Sequence, residues 1–398
     1  MPLWLQFLIF LSVALAILGG AHFYLWHRLA RDTGLTSRWR HVLRVVFVLG
    51  VLAFPLEHLV TRAVGGKGSV VFAYFAYGWM GFCFYAFVLL LLVDLVLLVL
   101  WRHRRAARRE APPEDPERRR ALRRLLNGGA AVASGGVLVY GGFVAFADPE
   151  VTDLPVRLPR LPRALSGLTI AHLTDVHVGP IVDERFVRRM VVATNRLQPD
   201  VVVITGDLFD RSVEDLGGIL PELRALRSRY GTFFVTGNHE FYVGVEPLCA
   251  ALRGIGVTVL RNQRVPLGDG AASLDLLGVD DWSAGTRRRQ PGRQPGPGRN
   301  DLDPALAGRD PERAAVLLAH QPRDFARAAA AGVGLQLSGH THGGQMFPII
   351  GISKLAYRWA AGHYRLGDAH IYVSRGIGFW GPPFRVLAPP EIAKITLV

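Results

Sequence analysis

The chain has 398 residues, a formal net charge of +14 and an apolar content of one half. This length allows two or three folding units, and the apolar content is high for a soluble protein. The charge does not indicate a nucleic-acid partner, because residues 1–147 hold 17 basic against 7 acidic residues and the excess lies between hydrophobic segments. No nucleic-acid partner is therefore expected. The two cysteines, Cys83 and Cys249, form no paired metal motif and predict no disulfide.

Four hydrophobic segments in residues 1–147 predict an all-α transmembrane bundle of about four helices. They are Leu3–Trp26, Val42–Val60, Val70–Trp101 and Leu125–Ala147. A spanning helix needs about 20 apolar residues, which the first and third segments exceed easily. The second and fourth segments are weaker, and buried core helices are the alternative interpretation.

The loops between these segments predict an orientation. Arginines concentrate in the first and third loops, whereas the second loop has only Arg62 and Lys67. The positive-inside tendency places the arginine-rich loops in the cytoplasm. Both termini, and everything after Ala147, are then extracytoplasmic in a multi-pass protein of the cell membrane. The pair Arg119-Arg120 before a Gly/Ala-rich run is interpreted as an ordinary cytoplasmic arginine cluster, with a twin-arginine export signal, which it resembles, as the alternative.

Two acidic residues lie within the predicted spans. Glu57 and Asp94 are expensive to place in hydrocarbon, so each is a candidate functional residue. Both lie towards the ends of their segments, where water is close. Placement at the interface or helix packing is one interpretation, and a transport role is the other. The basic segment Arg118–Arg124 predicts contact with anionic membrane lipids.

The rest of the chain predicts one α/β domain. Residues 148–167 form a linker or the first strand of that domain, and residues 168–398 alternate between strands and helices. Residues 286–300 are rich in Pro, Gly and Arg and predict a flexible insertion. Strands are predicted at Leu168–Leu173, Asp200–Thr205, Thr232–Thr236, Gly256–Arg261, Ser273–Val279, Ala314–Leu318, Leu335–Ser338, His370–Ser374 and Ile392–Leu397, and helices at Asp183–Leu197, Glu214–Ser228, Glu246–Arg253 and Arg323–Ala331.

Five short segments with histidine or carboxylate side chains recur through this domain. They are Asp175-Val176-His177, Gly206-Asp207-Leu208-Phe209-Asp210, Gly237-Asn238-His239-Glu240, Ala319-His320 and Gly339-His340-Thr341-His342. Four of the five directly follow an apolar run that predicts a strand, which brings their side chains to one edge of a sheet. Each motif alone is weak, but the five together predict one site.

The residue types at this site predict metal binding. Imidazole together with carboxylate suits Zn, Fe and Mn, whereas Mg and Ca prefer oxygen alone. The candidate ligands are Asp175, His177, Asp207, Asn238, His320, His340 and His342. Seven ligands, one of them shared, are enough for two divalent metal ions, a centre that suits phosphoryl displacement.

The same segments resemble the calcineurin-like metallophosphoesterase family, and most of all its YkuE-like membrane-associated branch. The likeness runs from about Leu168 to Val398 and includes the sequence from Gly339 to Gln345. It implies a four-layer αββα sandwich. It also implies that Asp175, His177 and His342 hold one metal, that Asn238, His320 and His340 hold the other, that Asp207 bridges them, and that His239 acts catalytically beside the leaving group.

These observations predict metal-dependent hydrolysis of a phosphate mono- or diester, possibly lipid-linked. Arg375 and Arg385 are candidate substrate-binding residues, with surface charge as the alternative. Asp210 either orients a ligand or caps a turn, and Glu240 and His172 are expected to be structural. Two other classes stay open for the whole chain: a membrane transporter with an appended domain, and a non-catalytic metal-binding module.

Overall fold

A computed structural model describes residues 3–64, 66–107, 115–270, 272–285 and 301–398. The chain divides into two compact units. The first, called the helical unit, is Met1–Gly142 with Gly381–Pro383. The second, called the sheet unit, is Phe143–Trp380 with Phe384–Val398. The predicted insertion at 286–300 lies outside the described residues.

Four long helices account for most of the N-terminal region. They are α1 (Leu3–Trp26), α2 (Ser37–Val64), α3 (Gly66–Ala107) and α4 (Pro116–Ala145), and a π-helical turn at His27–Arg31 follows α1. Within the described residues, two helical stretches are long and apolar enough to cross a membrane, Gly68–His103 and Glu117–Ala145. The predicted spans at Leu3–Trp26 and Val42–Val60 are helical but are not among these two, so a bundle of four spans stays a prediction.

The two acidic residues within the predicted spans, Glu57 and Asp94, have polar partners. The guanidinium of the buried Arg28 contacts Asp94, with Nη1 2.9 Å from Oδ1, and donates from Nη2 to Asn127 Oδ1 at 3.0 Å. The Tyr24 hydroxyl donates to the other Asp94 oxygen at 2.6 Å. Glu57 is buried and accepts from the Tyr77 hydroxyl at 3.2 Å. These contacts join different helices of the unit.

The sheet unit contains two six-stranded sheets. The first has the order β1-β12-β2-β3-β4-β5 and the second the order β10-β11-β9-β8-β7-β6. The strands are β1 (Glu150–Val156), β2 (Thr169–Leu173), β3 (Val201–Thr205), β4 (Thr232–Val235), β5 (Thr258–Val259), β6 (Gln263–Asp269), β7 (Ala272–Gly278), β8 (Ala315–Leu318), β9 (Leu335–Ser338), β10 (Gly362–Leu366), β11 (Ala369–Val373) and β12 (Glu391–Leu397). Strands β2 to β5 run parallel in the first sheet, and β7, β8, β9 and β11 run parallel in the second.

The two sheets face each other across a common apolar layer. Ile170 and Val203 of the first sheet and Leu276 and Leu337 of the second belong to one buried cluster. Helices cover the outer faces, which gives the αββα order that the family resemblance implied. The remaining helices are α5 (Glu184–Arg196), α6 (Ile219–Arg224), α7 (Asn238–Val243), α8 (Val245–Gly254), α9 (Leu302–Leu306), α10 (Phe325–Ala330) and α11 (Ile349–Ala356). Buried apolar side chains of α5, α6 and α8 pack on the first sheet, and those of α9 and α10 pack on the second.

Some predicted elements differ from those observed. The segment 148–167, predicted as a linker or first strand, contains β1, which pairs along its full length with β12. The linker interpretation is therefore wrong for residues 150–156. The predicted helix Glu214–Ser228 is also wrong in extent, because Gly217 has a φ of +35° and separates a short 3-10 turn from the brief α6. The sequence did not predict β6 or β10.

Candidate metal centre

The predicted ligands follow the ends of five parallel strands. Asp175 and Asp207 lie two residues beyond β2 and β3, and Asn238 begins α7 shortly after β4. In the second sheet, His320 follows β8, and His340 follows β9. Carboxyl ends of parallel strands meet at one edge of a sheet, where open α/β folds bind their ligands. The fold thereby gathers side chains that are up to 167 residues apart in sequence.

Five of these residues have a left-handed backbone. The φ angles are +53° at Asp175, +54° at His177, +49° at Asp207, +72° at His340 and +51° at His342. Few residues other than glycine adopt this region, and Asn, Asp and His are the ones that tolerate it best. Each such residue costs of order 1–3 kcal/mol, and strain of this kind clusters at functional sites. The turns therefore direct these side chains at the expense of local backbone energy.

Two glycines allow the ligand loops to approach closely. Gly206 has a φ of +88°, and a Cβ atom there would clash with the backbone of Gly237. A Cβ atom on Gly237 would in turn clash with Asp207. Glu240 connects the same two loops, because its carboxylate accepts hydrogen bonds from the backbone N–H groups of Gly237 at 2.7 Å and Leu208 at 2.8 Å. The structural interpretation of Glu240 is consistent with these contacts.

One group of ligand atoms comes from Asp175, His177 and His342. The Nε2 atoms of His177 and His342 lie 3.1 Å apart, and His342 Nε2 lies 3.4 Å from Asp175 Oδ1. All three side chains are buried. Their ligand atoms lie within 4.8 Å of one another, close enough to share one ion.

A second group comes from Asp207, Asn238, His320 and His340. His320 Nε2 lies 3.2 Å from Asn238 Oδ1 and 3.2 Å from Asp207 Oδ2. His340 Nδ1 lies 3.2 Å from the same His320 atom. Asp207 Oδ2 is also 3.8 Å from His177 Nε2 in the first group. Asp207 is thus the carboxylate positioned between the two groups.

The hydrogen bonds of two histidines test whether this donor set fits metal ions. The Nδ1–H of His320 donates to the Thr205 carbonyl at 2.8 Å, and the Nδ1–H of His177 donates to Asp210 at 2.8 Å. When each ring is neutral, as a metal ligand must be, the lone pair of Nε2 points into the centre, towards other acceptors. Such convergence of lone pairs is unfavourable unless a proton or a metal ion lies among them, and fixing the tautomer from the far nitrogen is usual for metal-ligating histidines. The residues therefore fit divalent metals that accept nitrogen and oxygen ligands.

The pKa shifts also indicate a place that attracts cations. Burial alone would lower the pKa of His177, but Asp210, Asp207 and Asp175 raise it to about 9. His320 is likewise raised well above its usual pKa, against its burial, by the Asp207 carboxylate. Burial and the neighbouring positive charges of His177 and Arg385 hold the pKa of His342 well below its usual value. Carboxylates thus stabilise positive charge at the point where the ligand atoms converge.

His239 lies at the margin of the centre. Its ring Nδ1–H donates to Asp210 Oδ1 at 2.7 Å, and its Nε2 lies 3.9 Å from Asp207 Oδ2. Asp210 Oδ1 therefore accepts from His177 and His239 at once. Of the two roles left open for Asp210, the structure favours the orientation of a ligand. The side chain of His239 is partly exposed, unlike that of His177, so its Nε2 is accessible from solvent.

The two predicted substrate-binding arginines have protein partners for most of their donors, and Arg385 Nη2 lies 3.5 Å from His342 Nδ1. Arg385 is fully buried, and it donates to the carbonyls of Gly378 at 2.7 Å and Ala388 at 2.9 Å, and to other backbone carbonyls from Nη2. These backbone acceptors engage its guanidinium, and its predicted role in binding substrate stays a prediction. Arg375 is paired with Glu150 at 3.0 Å and with Glu391 at 3.4 Å, so it too has carboxylate partners.

Two further residues support the site. Tyr242, one helical turn after Asn238, accepts from the Asn238 Nδ2 amide at 3.3 Å, which leaves Oδ1 turned towards His320. The spacing of four residues is the sequence signal that identifies this partner once α7 is known. His172, expected to be structural, is buried between the sheets and contacts the Thr205 hydroxyl at 2.8 Å.

Known proteins show the same domain. Residues 168–344 match the family model described as calcineurin-like phosphoesterase. The metallophosphoesterase YkuE of Bacillus subtilis, called uncharacterized, is 30% identical over 277 residues, which cover 66% of this chain and 92% of that protein. The chain belongs to the calcineurin-like metallophosphoesterase family. The predicted family resemblance is thereby confirmed.

Two other relatives are longer than the shared region. An uncharacterized metallophosphoesterase of Helicobacter pylori is 40% identical over 260 residues, 65% of this chain and 66% of that protein. A transmembrane protein with metallophosphoesterase domain from Danio rerio is 36% identical over 266 residues, 65% of this chain and 60% of that protein. The likeness therefore spans about two thirds or less of these relatives, and it concerns the domain rather than the whole chain.

Proposed function

We propose that this chain is a membrane-anchored phosphoesterase that uses two divalent metal ions to hydrolyse phosphate mono- or diesters. One observation carries the proposal: side chains from five strand ends converge on Asp207 Oδ2, with His177 Nε2 at 3.8 Å and His320 Nε2 at 3.2 Å. A site that only stabilised the fold would not need so many histidine and carboxylate atoms at one point. The match to the calcineurin-like phosphoesterase family also supports the proposed hydrolysis.

The residues divide into two ligand sets. Asp175, His177 and His342 would hold one ion, and Asn238, His320 and His340 the other, with Asp207 in contact with both. Divalent ions held there would neutralise charge on the phosphoryl oxygens and activate water as the nucleophile. Nitrogen and oxygen ligands together favour Mn, Fe or Zn.

His239 is the residue that would handle the proton of the leaving group. Its Nδ1–H is held by Asp210 at 2.7 Å, so Nε2 is the atom available to donate a proton or a hydrogen bond to the leaving oxygen. Asp210 fixes the plane of that ring and, through the same oxygen, the plane of His177 at 2.8 Å. One carboxylate oxygen thus orients a proton donor and a metal ligand together.

Membrane attachment is the second part of the proposal. The stretches Gly68–His103 and Glu117–Ala145 are apolar, and only 22% of the most apolar window of each is buried, unlike the core helix of a soluble protein. The name of the Danio rerio relative also supports attachment. The arginine-rich loops favour an orientation with the sheet unit outside the cytoplasm, where phosphate esters of membrane lipids are accessible substrates.

The test of hydrolysis uses the purified full chain in detergent, loaded separately with Mn, Fe, Zn, Ni and Co. Cleavage of bis-p-nitrophenyl phosphate is compared with cleavage of p-nitrophenyl phosphate, which distinguishes diester from monoester preference. We expect activity with at least one metal and its loss in Asp207→Ala. Asp269→Ala is the matched control, because that carboxylate is exposed and pairs with Arg229. Absence of activity with all five metals would refute the proposed reaction.

Orientation has its own test. A reporter enzyme that is active only outside the cytoplasm, fused after Val398, is expected to be active in cells. Activity of a cytoplasm-only reporter at the same position would reverse the proposed placement of the sheet unit.

A further inference from the structure

An exposed apolar surface lies beside the metal centre. We call it the apolar rim, and it consists of Phe347, Ile352, Leu355, Tyr357, Trp380 and Leu387. Leu355, on α11, is 91% exposed, and Ile352, on the same helix, is 61% exposed. In the described part of the sheet unit, six of the twelve exposed large apolar or aromatic side chains belong to this rim. A concentration of this kind marks an interaction site, because scattered single residues are the usual pattern.

Backbone contacts connect the rim to the loop that contains His340 and His342. The turn His342–Gly344 leads through Gln345 into the rim. The Phe347 N–H donates to the Val386 carbonyl at 3.0 Å, which places Phe347 next to Leu387. The side chain of Gln345 accepts from the Trp380 N–H at 2.9 Å. The Tyr357 ring lies 6.3 Å from the ring of His340, between centroids. Tyr357 therefore places one end of the rim next to a predicted ligand of the centre.

The sequence segment that contains α11 carries only positive charge. Residues 345–366 include three basic residues and no Asp or Glu. Lys354 lies on α11 and Arg358 follows it, and both are exposed. Apolar side chains flanked by Lys and Arg are the composition of segments that lie in the headgroup region of an anionic membrane.

Chain connectivity keeps the sheet unit close to the end of α4. Helix α4, whose stretch Glu117–Ala145 is apolar enough to span, ends at Ala145, and β1 begins at Glu150. Four residues, fully extended, cover about 13 Å. If α4 spans a membrane, the sheet unit cannot move away from the bilayer surface. This step rests on the membrane attachment proposed above.

We propose that the apolar rim docks on the surface of an anionic phospholipid bilayer, so that the metal centre works at the level of the headgroups. Ile352 and Leu355 would enter the boundary between headgroups and acyl chains, to a depth of about 5–10 Å. Lys354 and Arg358 would contact the lipid phosphates. The docked state gives the centre access to phosphate esters that stay in the membrane.

The test places a fluorescent probe on the rim of the full chain. Leu355→Cys is labelled with the environment-sensitive dye NBD and reconstituted into vesicles of phosphatidylcholine and phosphatidylglycerol. Val192→Cys, on α5 and 45% exposed, is the matched control. The two native cysteines are buried, and labelling of the unmodified chain measures their background. Ile352→Cys is a second rim position in case Leu355→Cys does not fold.

We expect a blue shift of the rim probe on reconstitution and quenching by lipids with a doxyl group near the headgroup, and neither effect for the Val192 probe. Charge reversal at Lys354 and Arg358 should reduce the quenching in anionic vesicles and leave pure phosphatidylcholine vesicles unchanged. Equal behaviour of the two probes would overturn the proposal. A blue shift that persists in detergent without lipid quenching would also overturn it, in favour of contact with a second copy of the chain.

The same samples separate this proposal from the previous one. Failure of the chain to float with the vesicles would refute membrane attachment, and the docking surface with it. Flotation without quenching, while bis-p-nitrophenyl phosphate is still hydrolysed, would remove only the docking surface. Quenching without hydrolysis would keep the surface and remove the proposed reaction.

Discussion

The helical unit and the sheet unit both bury charged side chains, but the partners of those side chains differ. In the helical unit, the buried Arg28 pairs with Asp94 at 2.9 Å and with Asn127 at 3.0 Å, so opposite charges and donor–acceptor pairs face each other. In the sheet unit, Asp207 Oδ2 faces His320 Nε2 at 3.2 Å, in a cluster that has more acceptors than donors when its histidines are neutral. A balanced network holds helices together, whereas an excess of acceptors needs a cation.

Because the two units differ in this way, each alternative function depends on a different set of residues. A transporter with an appended domain would depend on Glu57 or Asp94, and a non-catalytic module would need the metal ligands but not His239. The hydrolase interpretation needs the unbalanced cluster and its proton donor together. The following experiments separate these interpretations, from the largest expected effect to the smallest.

Removal of metal is expected to have the largest effect. Chelation should abolish hydrolysis, and Mn, Fe or Zn should restore it. At 100 times its Kd, one bound ion stabilises a folded state by about 2.7 kcal/mol, because it binds only that state. Differential scanning calorimetry should therefore show that metal shifts the transition of the sheet unit and leaves that of the helical unit in place. A chain that stays active after complete removal of metal would contradict the proposed centre.

Replacement of His239 by Ala should lower kcat by roughly 10²–10⁴-fold, the usual contribution of a general acid. The metal content, measured by elemental analysis, should not change, since no ligand set includes His239. His363→Ala is the control, because that residue lies on β10 and contacts His370 instead of the centre. Unchanged hydrolysis in the His239 variant would favour the non-catalytic module.

Asp210→Asn is expected to weaken metal binding or activity by about 10–100-fold, the range found when a partner that orients a ligand is changed. The amide keeps the shape but cannot accept both ring N–H groups with a full negative charge. Asp215→Asn, five residues further along the chain, is the matched control. Equal effects of the two substitutions would show that Asp210 stabilises the local turn and does not orient a metal ligand.

Metal affinity should rise with pH up to about pH 9. Without metal, His177 has a pKa raised to about 9, so below that pH it binds a proton that a metal must displace. The same raised pKa stabilises the metal-free fold fully below about pH 6.5, and this contribution is lost as the pH rises through 9. Calorimetric titration in two buffers of different ionisation enthalpy counts the protons released. No proton release at pH 7 would show that His177 is already neutral.

Asp94→Asn should have the smallest effect on hydrolysis. It weakens a charged pair with Arg28 and should lower the stability of the helical unit by about 1.5–3 kcal/mol, the range for hydrogen bonds to charged groups. Cleavage of the soluble bis-p-nitrophenyl phosphate should be unchanged, while His340→Ala should abolish it. The opposite pattern in a cellular assay, with Asp94 essential and His340 dispensable, would favour the transporter interpretation.

The features that sequence predicted well are local ones. Asp207 follows four apolar β-branched residues of β3, and His340 follows β9, so strand and ligand could be identified from one short window each. Since the carboxyl ends of parallel strands lie at a common edge, the ligands that follow them are expected to lie close together. The bounds Leu335–Ser338 were predicted as the structure has them.

The features that sequence missed depend on distant partners. Strand β1 exists because β12 lies beside it, about 240 residues further along the chain, and its own sequence with Pro155 predicts an edge strand only weakly. The sequence also could not show that the Arg385 guanidinium donates to the backbone carbonyls of Gly378 and Ala388. The sequence also could not assign to Asp210 the orientation of His177 and His239. That role requires the fold to bring His239, which follows another strand, next to it.

The left-handed turn at Asp207 limits which inactive variant is useful for capturing the natural substrate. Asparagine tolerates this conformation better than alanine does, so Asp207→Asn should preserve the loop while removing a negative charge from the bridging position. A protein with its pocket intact but its turnover stopped can hold the compound it would otherwise release. Mass spectrometry of lipids and metabolites retained by that variant is therefore the most direct route to the substrate.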